Sequence, residues 1–142
     1  MGVDVQLGCE ANAPEATLLR HWTESALNGE ESDVCVRIVD RGEGADLNHR
    51  FRQRAGATNV LAFPADEAGV LGDIAICAPV AAEEARAQGK PLAHHYAHLV
   101  VHGVLHLLGM DHATPGEART MEEQEVKLLA RLGIENPYGP DQ

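Results

Sequence analysis

LAHHYAHLVVHGVLHLLGMDH, residues 92–112, is the stretch from which both the fold and the chemistry of this chain can be read. From Leu92 to Leu108 apolar residues fall on almost every face of a helix, the pattern of a helix buried at the centre of a domain. Within it His102 and His106 are four apart. Both imidazoles therefore lie on one face, about 6 Å apart along the axis, and can converge on one ion with Zn–N near 2.0–2.1 Å. Gly109 offers a place to leave the helix, since glycine adopts positive φ cheaply. His112 thereby turns back as a third ligand. Three protein ligands leave a fourth position for water or substrate, which marks a catalytic metal site rather than a structural one. Three neutral imidazoles form a borderline-soft donor set. They suit one Zn2+ per chain, with Ni2+ or another transition ion as the alternative. His94, His98, His102 and His106 recur every four residues, drifting about 40° per step. His98 is thus expected one turn from the site, as a supporting residue or a satisfied core histidine, and His94 near solvent.

The spacing matches the metzincin protease pattern H-E-x-x-H-x-x-G-x-x-H, with His102, His106, Gly109 and His112 in register. Gly103 stands where that pattern has its glutamate, and glycine cannot take a proton. A peptidase reading must find its base elsewhere, and Asp111 is the nearest candidate.

The chain has 142 residues. That is enough for one domain with a real core, read as residues 1–142, and too few for two. No apolar run approaches the roughly 20 residues that span a bilayer, and no terminal segment resembles a signal peptide, so no membrane partner and a cytoplasmic location are expected. Cys9, Cys35 and Cys77 form no C-x-x-C pair; buried, reduced thiols in strand-like stretches are expected. A net charge of −11 argues against general nucleic-acid affinity. The segment from Leu47 to Ala65 is the exception, since it lacks acidic residues and contains His49, Arg50, Arg52 and Arg54. An acidic body with one basic segment suits selective docking of a phosphate-bearing ligand.

Along the chain, Val3 to Leu7 reads as an edge strand and Pro14 to Leu27 as a helix begun by the proline. Asp33 to Val39 reads as a strand covered on both faces, and Gly44 to Arg52 as a short helix. Thr58 to Phe63 and Gly72 to Cys77 are β-rich runs, stopped by Pro64 and Pro79, with a loop or hairpin connection between them. Pro79 to Gln88 is a helix closed by Gly89. After the central helix, Glu117 to Leu132 is amphipathic and capped by Gly133, and the tail from Pro137 is expected to be loose. This order indicates an α/β (α+β) fold: one small mixed sheet of about four strands packed with about five helices, the metal-bearing one central as in zincins. Asp73, opening a buried strand, is expected either to support the metal site or to be a solvated turn residue.

The linked motifs Leu47-Asn48 with Arg52, Thr58-Asn59-Val60-Leu61-Ala62-Phe63-Pro64, Leu71-Gly72-Asp73-Ile74-Ala75-Ile76, Gln88-Gly89-Lys90-Pro91-Leu92 and His102 to His112 resemble the YbeY family. Its members are bacterial rRNA maturation factors and single-strand-specific metallo-endoribonucleases. The resemblance runs from about Val34 to Tyr138, and departs from the family at Ala57, often proline, and Ala62, usually serine. It implies metal ligands His102, His106 and His112, a functional Arg52, and a role in 16S rRNA 3′-end maturation and small-subunit quality control. The implied partners are single-stranded rRNA, the small ribosomal subunit and its assembly factors, including an Era-like GTPase. The chemistry of Arg52 agrees, because a guanidinium presents a planar fork of donors to phosphate oxygens and can stabilise charge growing on phosphorus. Zinc would act as a Lewis acid or generate hydroxide, with water or the RNA 2′-hydroxyl as nucleophile. The competing readings are a zinc metallopeptidase or amide hydrolase, and a non-catalytic ribosome-assembly factor with a structural metal.

Overall fold

β-Strand alternation sets which side of the sheet carries the core. In β2 (Asp33–Val39), Val34, Val36 and Ile38 are buried on one face, while Cys35 and Arg37 on the other are half-buried. The computed structural model describes residues 2–9, 13–52 and 58–138, with the backbone alone at positions 51 and 52. It places β2 between β1 (Val3–Leu7) and β4 (Val70–Cys77), both parallel to it, and β3 (Val60–Glu67) antiparallel at the edge, in the order β1-β2-β4-β3. The main core lies between one sheet face and the helices α1 (Ala16–Leu27), α4 (Leu92–Leu107) and α5 (Pro115–Arg131). A smaller cluster of Val39, Leu61, Ala75 and Cys77 fills the opposite face, packed with Leu47 of α2 (Arg41–Arg52) and Val80 of α3 (Ala78–Gln88). The expected mixed four-stranded sheet with five helices is the observed α+β fold.

α4 is the pillar of this arrangement. Tyr96, Ala97, Val100, Val101 and Val104 are fully buried, and each large apolar side chain so buried stabilises by roughly 1.5–3 kcal/mol. Gly103 lets the helix lie close to the sheet: a Cβ there would meet three atoms of Ile74 at 3.1 to 3.3 Å.

Several boundaries differ from the sequence expectation, each for a local reason. β3 runs through Pro64 instead of stopping at it, because an edge strand tolerates a missing N–H and the pairing shifts register between Pro64 and Glu67. α2 begins at Arg41 rather than Gly44, since the Asp40 side chain accepts the Glu43 N–H at 2.8 Å and its carbonyl accepts that of Gly44 at 2.9 Å. α1 begins at Ala16, leaving Pro14 ahead of the Glu15 cap. α5 starts at Pro115, not Glu117, because Thr114 and Glu117 form a capping box, each side chain accepting the other's backbone N–H at 3.1 Å. Of the cysteines, only Cys77 is fully buried; Cys35 is half-buried in β2, and Cys9, also half-buried, lies beyond β1. Burial still pushes all three thiols upward in pKa, so they remain protonated.

Candidate metal centre

The end of α4 builds the site. Beyond the C-cap Leu108, the Gly109 N–H donates to the His106 carbonyl and the Met110 N–H to that of Leu105, both at 3.0 Å. This is a Schellman closure, and it requires the left-handed conformation that Gly109 adopts at φ 99°. The reversal brings His112 back toward α4. One ligand nitrogen each from His102, His106 and His112 lies within 4.8 Å of the others. The ring centroids are 4.7 Å apart for His102 and His106, 5.0 Å for His106 and His112, and 5.6 Å for His102 and His112. His102 and His106 are half-buried and His112 is exposed, so the cluster faces solvent on one side.

The donor set fits a transition ion. Tetrahedral ligation near 2.0–2.1 Å would bring the nitrogens to about 3.3 Å from one another, a modest closure of the arrangement present. Burial lowers the pKa of His106, and the neighbouring His102 and His112 lower it further. That favours the neutral imidazole whose lone pair a metal needs.

A carboxylate absent from the sequence reading holds this cluster from behind. Glu125 on α5 is 1% exposed. It accepts hydrogen bonds from His102 Nδ1 at 2.6 Å, His98 Nε2 at 2.9 Å and the Tyr138 hydroxyl. Burial by itself would raise the Glu125 carboxyl, but the bonds from His102, His98 and Tyr138 outweigh it and hold the pKa at about 2. The carboxylate is thus ionised and keeps the proton of His102 on Nδ1, leaving Nε2 free to ligate. Burial and the adjacent carboxylate push the Tyr138 hydroxyl well above its ordinary value, so it stays a donor. Residues 137 and 138 are accordingly tied down rather than loose: Tyr138 bonds to Glu125, and the Pro137 carbonyl accepts Lys90 Nζ at 3.1 Å. Glu125 was legible after all. On α5 the buried positions are Met121, Glu125, Leu128 and Leu129, so this acid occupies an apolar slot of the helical repeat while its acidic neighbours do not.

The other sequence candidates divide. His98 belongs to the supporting network, and His94 is half-buried. His95, unassigned from sequence, is buried with Nε2 2.9 Å from Glu84 Oε1. Asp73 is exposed on the sheet face away from Ile74 and α4, so the solvated reading holds and the supporting role is withdrawn. Asp111 is exposed, and its Oδ1 accepts the His112 backbone N–H at 2.7 Å, which steadies the return of the chain. Arg50 lies on α2, 3.6 Å from Asp46. Arg52 is the last residue of α2; its side chain, like Arg54 altogether, lies outside the described residues.

Known proteins share the family and the fold of this chain. The family model described as Endoribonuclease YbeY matches residues 9–133. An endoribonuclease YbeY of Xanthomonas oryzae pv. oryzae (strain MAFF 311018) is 50% identical over 143 residues, covering 93% of this chain and 89% of the relative. That of Pseudomonas entomophila (strain L48) is 47% identical over 148 residues, covering 99% and 94%. Among solved structures, the solution structure of TM1509 from Thermotoga maritima superposes with a TM-score of 0.61 at 25% identity, over 98% of this chain and 97% of that one.

Proposed function

The chain belongs to the YbeY endoribonuclease family, and from that premise we propose that it is a zinc-dependent endoribonuclease cutting single-stranded RNA in the maturation of ribosomal RNA, including the 3′ end of 16S rRNA. The observation that carries this reading is the solvent-facing cluster of His102, His106 and His112, backed by the buried Glu125. These three histidines would hold the ion, with zinc favoured over nickel for the imidazole set. When bound, the ion supplies positive charge against a phosphoryl oxygen or lowers the pKa of a water. Glu125 fixes the tautomer of His102, and Gly109 fixes the position of His112. Arg52, closing α2 in the basic segment, is assigned to clamp the scissile phosphate through its planar fork. Asp111 is exposed beside His112; it is retained as the candidate for proton transfer. The peptidase reading loses ground at position 103. That backbone presses on Ile74, so a glutamate there would meet β4 before it reached the ion.

We assign the activity to one hydrolase domain working in the cytoplasm on the small ribosomal subunit, together with assembly factors such as an Era-like GTPase. The test is cleavage of a single-stranded rRNA fragment by wild type, Arg52→Ala and Arg52→Lys, with metal content measured on each. Wild type should cut, stop cutting with a chelator, and recover on adding zinc. Both variants should keep their metal and lose roughly a hundredfold or more in rate. Full cleavage by Arg52→Ala overturns the clamp. Metal-loaded wild type that cuts no RNA overturns the enzyme reading in favour of an assembly factor.

A further inference from the structure

One turn of α4 before His102, a cavity of about 610 Å³ opens where α3, α4, the start of β3 and residues 137–138 meet. Asn59, Glu84, Lys90, His95, His98 and Tyr138 line it. Its volume lies within the range of small-ligand sites. The Glu84 carboxylate is held from its inner side: Oε1 lies 2.9 Å from His95 Nε2 and accepts the Asn59 amide at 3.1 Å, while Oε2 takes only a longer 3.3 Å share of that amide. Asn59 is itself fixed, its Oδ1 accepting the Val60 N–H at 2.7 Å. Glu84 is 33% exposed and lines the cavity, and because Oε1 already serves two partners, Oε2 carries most of the acceptor capacity left for a ligand. Lys90 spends one of its three ammonium protons on the Pro137 carbonyl. Leu99 and Pro137 add apolar wall. The cavity adjoins the metal centre directly, since His98 lines it and shares Glu125 with His102, the two rings 6.5 Å apart.

A fixed carboxylate in this position would repel an RNA phosphate, so what it accepts from RNA is a base edge bearing N–H groups. The cavity offers carboxylate acceptors with an ammonium donor beside them. Guanine alone among the four bases presents the complement on its pairing edge: two donors, N1–H and the N2 amino group, followed by the O6 acceptor. Adenine, cytosine and uracil each place an acceptor where this edge needs a donor. We infer that this cavity is a base-recognition pocket for a guanine of the RNA strand, one step from the metal centre. The inference rests on the RNA-cleaving reading above and adds a sequence preference to it.

Short 2′-O-methyl oligonucleotides, which resist attack through the 2′ position, test the pocket without turnover. Each position in turn carries guanine or inosine, which lacks only the N2 amino group, and binding to the zinc-loaded protein is read by fluorescence anisotropy. At one position guanine should bind about tenfold more tightly than inosine. Glu84→Gln should bring the guanine oligonucleotide down to about the level of inosine, weaken inosine as well because it keeps N1–H, and leave the metal content unchanged. Because Glu84 also braces the buried His95, Lys90→Met serves as a second variant. It should weaken the guanine oligonucleotide severalfold by removing the O6 donor. Equal binding of guanine and inosine at every position overturns the pocket, as does full guanine–inosine discrimination in Glu84→Gln together with an unchanged guanine affinity in Lys90→Met. RNA cleavage without base preference would likewise overturn the pocket while leaving the endoribonuclease reading in place.

Discussion

Replacing Glu125 by glutamine keeps the volume of the side chain and removes its charge. The carboxylate now serves His102, His98 and Tyr138 at once, whereas an amide offers a single acceptor oxygen and turns an NH2 group toward a former donor. Hydrogen bonds to an ionised acceptor contribute about 1.5–3 kcal/mol each and neutral ones about 0.5–1.5. Three weakened bonds are partly offset by no longer burying a charge, so the metal-free protein should lose about 1–2 kcal/mol. For 142 residues the unfolding entropy is about 0.3 kcal/mol/K, which converts that loss to a fall in Tm of roughly 3–7 °C. Metal affinity should fall independently, by about 10–100-fold, because the proton on His102 Nδ1 is no longer held by a charged partner. Competition with a chromophoric chelator reads the affinity, and melting of the metal-free protein reads the stability. Affinity within twofold of wild type alongside a lowered Tm would refute the link from Glu125 to the metal and leave the carboxylate a packing residue.

His106→Ala should abolish zinc retention by elemental analysis, and the wild-type protein should melt lower once stripped of metal, since binding free energy is partly folding free energy. Gly109→Ala meets no atom within 4 Å but must hold φ near 99°, so it should cost about 1–2 kcal/mol and weaken zinc binding by misplacing His112. Gly72→Ala should cost more in a denaturant titration, because its Cβ would lie 2.3 Å from the Phe63 carbonyl oxygen and 2.8 Å from Leu107. Acid should unfold the protein partly through Glu125. Its carboxyl sits at about 2 in the fold against an ordinary 4.5, so its contribution, at most roughly 3 kcal/mol, is complete above pH 4.5 and lost as pH falls toward 2. Glu125→Gln should show a shallower acid limb over that window; an unchanged limb would refute the assignment.

Features that depend on residues near one another along the chain are legible in the amino-acid sequence. The all-round apolar pattern from Leu92 to Leu108 placed the central helix. The four-residue step from His102 to His106 with the Gly109 break placed the ligand cluster, strand alternation placed β1 and β2, and apolar β-rich runs placed β3 and β4. These are local periodicities, and the observed elements follow them. Even the Thr114–Glu117 capping box was available there as a short motif. The remaining features join residues far apart along the chain. Glu125 meets His102 across 23 positions, and Tyr138 meets His98 across 40; the helical repeat marks position 125 as an inward slot of α5, but which histidines it meets is set only when α5 is docked on α4. Pro64 reads as a strand breaker until β3 is known to be an edge, where its missing N–H has no partner to lose. Asp73 reads equally well as buried or solvated until the register with Ile74 turns it away from α4. Side-chain roles of this kind depend on which surface packs against which, and that is decided by the assembled core.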